Sequence, residues 1–219
     1  REKTERKERE GGEEERNKGA VHMGRFFNMD NKFFTFMGRI ADLCILNIIC
    51  LVCCIPIVTA GAPITAMYYV TLKMVRNEEA YIVRSFFKSF KDNFKQATII
   101  NLIMIAVGAI LYLDLNVAKN MPGSAGQIFH VIFMAFVIIY YVLFLYVYPI
   151  LARFYNTIRN TIKNALFMAI RHLPYTVVMV LIGLCPLLLL FIDSYQIQST
   201  LFVLFLVMGF GVIAYCNSF

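Results

Sequence analysis

The sequence predicts an all-α protein, a polytopic bundle of about six membrane-spanning helices. Its 219 residues are 59% hydrophobic, with a mean hydropathy of +0.66. This composition is too apolar for a soluble globule of the same length, which needs a polar surface. Several uncharged runs also approach the roughly 20 apolar residues that a helix needs to cross a hydrocarbon core of about 30 Å. We expect spans at residues 40–58, 97–113, 128–150, 175–192 and 201–215.

Residues 1–22 differ from the rest of the chain in composition. They hold seven basic and seven acidic side chains and almost nothing apolar, so they are expected to form a disordered charged extension. Residues 10–16 can be encoded by purine-only codons, as in a translated ribosome-binding region. One hypothesis is therefore that the extension is non-native and that Met23 is the genuine start, and the alternative is a solvated charged tail. The membrane domain, residues 23–219, carries the whole net charge of +7.

The cations of the membrane domain cluster in two of the connections between predicted spans. A basic balance is typical of nucleic-acid-binding proteins, but cations confined to alternate connections are typical of cytoplasmic loops in membrane proteins. We therefore expect no nucleic-acid partner, and we expect both basic connections and the C-terminus to lie in the cytoplasm. The two clusters are Lys73, Arg76, Arg84, Lys88, Lys91 and Lys95, and Arg153, Arg159, Lys163 and Arg171.

A cytoplasmic N-terminus then requires a sixth crossing, for which residues 62–76 are the candidate. Only residues 62–72 are free of charge, fewer than the 17 or more residues that a spanning helix usually has. The alternative is a re-entrant segment buried among other helices, which leaves five crossings. With six crossings, both termini are cytoplasmic and the break before residue 62 faces the opposite surface.

Three cysteines precede this break in the run CLVCCIPIVTAGAP, residues 50–63. Cys50, Cys53 and Cys54 lie on one stripe of a helix, at i, i+3 and i+4. No histidine or carboxylate lies nearby in the sequence to complete a tetrahedral metal site. We expect these residues to behave as small buried hydrophobic side chains, and we expect no metal and no cofactor.

The second half of the run predicts a tight turn between two helices. Pro56 lacks a backbone donor, Gly61 tolerates a positive φ, Thr59 is a candidate cap and Pro63 suits a first helical turn. The alternative is a ligand or ion site formed by these four residues, because transporters bind substrates at such helix breaks.

Both basic connections contain an amphipathic pattern. Residues 81–96 alternate a phenylalanine stripe with a cationic one, and residues 152–173 repeat the pattern more weakly. This pattern predicts helices lying in the membrane interface as anchors, with cations near anionic headgroups. The alternative is a docking surface for a cytoplasmic partner. The candidate docking or lipid-binding residues are Arg84, Lys88, Lys91, Lys95, Arg159 and Lys163.

A few polar side chains fall inside or at the ends of the predicted spans. Arg39 and Asp42 are three positions apart, the spacing at which opposite charges meet on a helix. Asn47, Asn101 and Asp114 are expected to form hydrogen bonds between helices.

Signatures of catalysis are absent from the sequence. It contains no Walker A loop, no His-Glu-x-x-His and no Gly-x-Ser-x-Gly. Its histidines, His22, His130 and His172, are far apart in the chain. We therefore expect that the protein is not an enzyme and has no catalytic residues.

Two segments resemble the YesL family of bacterial integral membrane proteins, also called DUF624. They are FFNMDNKFFTFMGRIADL and CIPIVTAGAPITAMYYVTLKMVRNEEAYIVRSFFKSFKDNFKQAT. The most specific parts are the turn at residues 56–62 and the segment SFFKSFK at residues 85–91. The resemblance covers residues 23–219 and implies a bacterial plasma membrane protein whose gene lies near carbohydrate uptake systems and sensor kinases. It implies no established activity.

From these features we expect an accessory or regulatory membrane protein associated with carbohydrate uptake or signalling. Its expected partners are the lipid bilayer and a carbohydrate ABC importer or a sensor kinase. The alternative is a small transporter with its site at the break, residues 56–63.

Overall fold

The computed structural model describes residues 34–78, 81–154, 156–186 and 195–218. The prediction for residues 1–22 lies outside them. The chain divides into two compact units, residues 1–42 and residues 43–219. The packing described below is that within the second unit.

The described regular structure is helical throughout, which confirms the predicted all-α membrane bundle. The elements are α1 (Phe34–Cys53), a 3₁₀ turn (Ile57–Thr59), α2 (Gly61–Val75), α3 (Ile82–Asn120), α4 (Ser124–Arg153), α5 (Ile158–Arg171), α6 (Leu173–Leu184), α7 (Tyr195–Leu204), a π-helical turn (Phe205–Gly209) and α8 (Phe210–Cys216).

Four helical stretches in the described residues are long and apolar enough to cross a membrane. They are α1, α3, α4 and Gln198–Cys216, the stretch that runs from α7 through the π-helical turn into α8. The α5–α6 pair adds a fifth if it is counted as one broken span. Helix α2 has 15 residues, about 22 Å of helix, and so is shorter than the hydrocarbon core.

Helix α3 is longer than the sequence predicts. It runs unbroken for 39 residues, or about 58 Å, roughly twice the hydrocarbon core. The expectation that residues 81–96 form a separate helix lying in the interface is therefore wrong. Phe86 is fully buried and stacks on Phe90 with ring centroids 6.2 Å apart. These phenylalanines contact the protein rather than acyl chains, because α2 and the end of α4 cover this face of α3.

Helix α2 packs against α3, α4 and α8 of the second unit, and it carries small residues one turn apart on the same face. Ala62 and Ala66 are both fully buried. Ala62 packs in a cluster with Ala97 and Ile100 of α3, whereas Ala66 packs in a second cluster that includes Leu46 of α1. Small side chains allow such close approach of helices within a membrane.

The hairpin formed by residues 43–53 of α1 and by α2 ends part-way along α3. Its turn is bonded to Asn101, which lies nineteen residues, about 29 Å of helix, before the end of α3. From there α2 runs back beside the first half of α3, with Gly61 against Ala97 and Val70 in one cluster with Phe86. The hairpin therefore stops short of the level of the α3–α4 connection. This geometry favours a re-entrant hairpin, which enters and leaves the bilayer on the same side, over a sixth crossing.

Helices α5 and α6 meet at a bend of 103°. His172 leaves the helical conformation (φ −115°, ψ 45°), and Pro174 occupies the first turn of α6, where its missing N–H costs nothing. Thr161, Ala165 and Ala169 are the buried residues of α5, which packs mainly on α4. Helix α5 thus lies crosswise to α6.

Candidate functional site

The turn between α1 and α2 is compact. Pro56 (φ −76°) precedes a single 3₁₀ turn, and Pro63 lies in the first turn of α2. The Thr59 hydroxyl donates to the Pro56 carbonyl oxygen at 3.1 Å. Thr59 therefore does not cap α2, whose N-cap is Ala60 without a side-chain bond.

Gly61 is required for packing rather than for its backbone freedom. It does not use the positive φ that glycine tolerates, because it is a helical residue of α2. A Cβ atom at this position would lie 2.7 Å from the carbonyl oxygen of Ala97 and 3.0 Å from the ring of Tyr148. The space beside the turn is thus already filled by α3 and α4, which favours a structural role over a ligand site.

Asn101 binds the turn to α3. Its Nδ2 donates to the carbonyl oxygens of Ile57 and Val58, both at 2.9 Å. Its Oδ1 accepts the hydroxyl of Tyr148 at 2.9 Å. Both side chains are buried, at 6% and 1% exposure, whereas Ile57 is 73% exposed. An apolar tip whose carbonyls are bonded to protein suits a hydrocarbon environment, where water is not available to bond them.

Asn47 makes the second polar contact between helices. Its Nδ2 donates to the Leu206 carbonyl oxygen at 2.6 Å, and its Oδ1 accepts the Gly211 N–H at 3.0 Å. Leu206 and Gly211 are separated by five positions, the hydrogen-bonding interval of a π-helical turn. A Cβ on Gly211 would lie 3.1 Å from the Leu43 carbonyl oxygen. Asn47 therefore holds the π-helical segment close against α1.

The cysteines before the turn are free thiols. Cys50 is buried and its sulfur lies 3.9 Å from that of Cys54, whereas Cys53 is half-buried. Among the described residues, no three His, Cys, Asp or Glu side chains converge as a metal site would require.

The predicted cations are exposed on two helices, α3 and α5. On α3, Arg84, Lys88, Lys91 and Lys95 are exposed, as are Arg159 and Lys163 on α5. Gln96 of α3 bonds to the connection that precedes α5, where its Nε2 donates to the Asn156 carbonyl oxygen at 2.6 Å. Helix α5 has no acidic residue, and Asp92 is the acidic residue of the first half of α3. We call these six exposed cations the cationic surface.

Further cations lie at the same end of the bundle. Lys88, Asp92 and Arg153 line a polar cavity of about 130 Å³ between α3 and the end of α4. Arg153 also lines a cavity of about 90 Å³ with Lys73 of α2 and with Arg76, the residue that follows α2. Arg76 forms an ion pair with Glu78 at 3.6 Å. The ends of α2 and α4 and the start of α3 therefore meet in one basic region.

Three further polar residues were predicted. Arg39 and Asp42 are on the part of α1 that belongs to the first unit. Asp114 is half-buried on the last third of α3, close to exposed Lys119.

Two residues that organise the site were not predicted. Tyr148 lies in a uniformly apolar run, and the available signal was that a buried tyrosine hydroxyl needs a partner. Gln96 bonds to a backbone carbonyl 60 positions away in the chain, and a backbone acceptor leaves no mark in the sequence.

The fold and these contacts define an integral membrane protein of the helical-bundle class, with a hydrogen-bonded hairpin and a basic end. The sequence model of the family described as "Protein of unknown function, DUF624" matches residues 43–115. The chain is also 25% identical to the "Uncharacterized protein YesL" of Bacillus subtilis (strain 168) over 150 residues, which cover 68% of this chain and 70% of that protein. No solved structure gives a significant match. The predicted resemblance to the YesL (DUF624) family is thereby confirmed.

Proposed function

We propose that this protein is an accessory or regulatory component of the bacterial plasma membrane that docks to a carbohydrate ABC importer or a sensor kinase through its cationic surface. Both termini are cytoplasmic in this proposal, and the protein carries out no catalysis of its own.

The observation that carries the proposal is the hydrogen bond that fixes the start of α5 beside the cationic first half of α3. Gln96 of α3 bonds to the connection that precedes α5, at 2.6 Å, so the start of α5 is held beside the first half of α3. Exposed cations on helices with a fixed backbone steer an acidic partner toward this face.

The orientation rests on the distribution of charge between the two ends of the protein. The basic region combines the cationic surface with Lys73, Arg76 and Arg153, whereas Lys119 is the cation near the other end of α3. An excess of Lys and Arg is typical of the cytoplasmic side.

Affinity capture from native membranes tests this function. The wild-type protein is expected to capture an importer subunit or a sensor kinase, identified by mass spectrometry. In the double variant Lys88→Glu and Lys91→Glu, we expect capture to fall at least tenfold, because reversed charges repel an acidic surface.

The matched control is Lys119→Glu, which reverses an exposed charge at the opposite end of α3. It is expected to leave capture unchanged. Capture that survives the double variant would refute docking through this surface, and a wild-type protein that captures neither class of partner would refute the proposed function.

A further inference from the structure

A groove opens between α4, the α5–α6 bend and the end of α8. Its volume is about 520 Å³, and its walls are largely apolar, with Pro149, Ile150, Val178 and Met179 among them. This volume lies in the range of roughly 300–1,000 Å³ that is typical of small-molecule sites.

The groove continues along α6 into a second one. Ile182 lines both grooves, and the second, of about 630 Å³, lies between α6 and the α7–α8 segment. Its lining includes Leu181, Cys185, Leu204 and Val212. His172 and Cys185 flank the twelve residues of α6, so the path between them is about 20 Å long and reaches past the middle of a hydrocarbon core of about 30 Å.

The mouth of the groove is polar and basic, in contrast to its apolar length. Arg153 and His172 lie at this end, together with Ser218, and no acidic residue lines either groove among the described residues. A guanidinium group binds a phosphate through two parallel hydrogen bonds, and an imidazole N–H adds a further donor. The mouth therefore suits an anionic phosphate, and the apolar length suits a hydrocarbon chain.

We propose that this groove binds one anionic phospholipid from the leaflet next to the basic region, with its phosphate at Arg153 and His172 and an acyl chain along α6. The site is distinct from the cationic surface, whose six residues do not line it. Charge complementarity selects the anionic lipid, since a zwitterionic headgroup adds a cation beside Arg153.

Native mass spectrometry of the full chain in mild detergent tests the site, with phosphatidylglycerol and phosphatidylcholine of identical acyl chains as probes. The wild-type protein is expected to retain one phosphatidylglycerol at least five times more strongly than phosphatidylcholine. Equal retention of the two lipids would overturn the proposal. Displacement of the lipid by inorganic phosphate alone would assign the mouth to a free anion and would also overturn it.

Two variants and their controls locate the binding. Arg153→Gln is expected to lower phosphatidylglycerol retention at least fivefold, whereas Arg84→Gln, which removes an exposed cation outside the groove, leaves it unchanged. Val178→Trp fills the groove and is expected to lower retention of both lipids. Val131→Trp, at a 69% exposed position of α4, is not expected to lower the retention of either lipid. Equal losses in each variant and its control would overturn the assignment.

Photo-crosslinking tests the site without a substitution. Phosphatidylglycerol with a photoreactive group on its acyl chain is expected to label residues 178–186 and 201–216 of the reconstituted full chain more than residues 102–113 of α3, which are also apolar and largely exposed. Uniform labelling would overturn the proposal. Efficient crosslinking between copies through Leu181→Cys would show that a second copy covers the groove, which would equally overturn it.

Discussion

The hairpin and the α6–α8 region of this protein are packed in opposite ways. At the hairpin, Gly61 fits against α3 and α4 with no room for a methyl group, and Asn101 bonds both carbonyls of the turn. Along α6, the helices leave two grooves of about 520 and 630 Å³. This difference indicates that close packing of the hairpin region stabilises the fold, whereas the α6–α8 region leaves space that a ligand can occupy.

Labelling of a single cysteine is the test of this comparison with the largest expected effect. The background lacks the native thiols, and the probe is Ile57→Cys at the tip of the turn. If the hairpin is re-entrant, an impermeant thiol reagent is expected to label the tip at least tenfold less than Lys88→Cys in broken cells, because thiolates do not form in hydrocarbon. Strong labelling of the tip in intact cells would show instead that the turn reaches the outer surface.

Removal of the Asn101 amide tests the contribution of its hydrogen bonds. Asn101→Leu leaves two carbonyls and the Tyr148 hydroxyl without their partner. We expect a loss of about 3 kcal/mol in the free energy of unfolding, measured by denaturation in detergent micelles. The control is Asn116→Leu, whose amide bonds only to the Tyr112 carbonyl on the exposed face of α3. Similar losses in both variants would contradict the role of Asn101.

A methyl group at Gly61 tests the packing itself. Gly61→Ala places a Cβ 2.7 Å from a backbone oxygen, which cannot move without shifting α3. We expect a loss of about 2 kcal/mol in the free energy of unfolding. Gly38→Ala is the matched control, since nothing lies within 4 Å of its Cβ, and the better helix propensity of alanine is expected to stabilise it slightly. A neutral Gly61→Ala would mean that the hairpin is loosely packed.

Added volume in the groove is expected to have the smallest effect. Val178 lines the groove and is 52% exposed, so Val178→Phe has room for its ring. We expect the free energy of unfolding to change by about 0.5 kcal/mol or less, in contrast to the loss for the smaller addition at Gly61. A loss as large as that of Gly61→Ala would remove the distinction between the two regions.

The sequence predicted the spans where apolar runs are uninterrupted, as at residues 128–150, which α4 contains. It failed at residues 81–96, because cations on the outer face of α3 obscured the continuity of the helix with the span that follows. The buried face carries Phe86, Ser89, Asn93 and Ala97, spaced at three and four positions, so a helical period running on into the span was present in that stretch.

The depth of the turn in the bilayer could not be predicted from the sequence, for a different reason. The distribution of Lys and Arg indicates which side of a membrane a segment faces, but not how far into the bilayer a hairpin reaches. Asn101 was predicted to bond between helices, and it does. Its partners are the backbone carbonyls of Ile57 and Val58, more than 40 positions away, and a backbone group is the same in every residue.

The unbroken length of α3 has a mechanical consequence. The helix contains no proline, and Gly108 is its first glycine, so the stretch from Lys88 to Asn101 has no hinge to absorb a displacement. A displacement or rotation of α3 at Lys88 is therefore transmitted along the rigid helix to Asn101, which is bonded to the turn of the hairpin. A partner that binds α3 at Lys88 and displaces it therefore also displaces the hairpin bonded to Asn101.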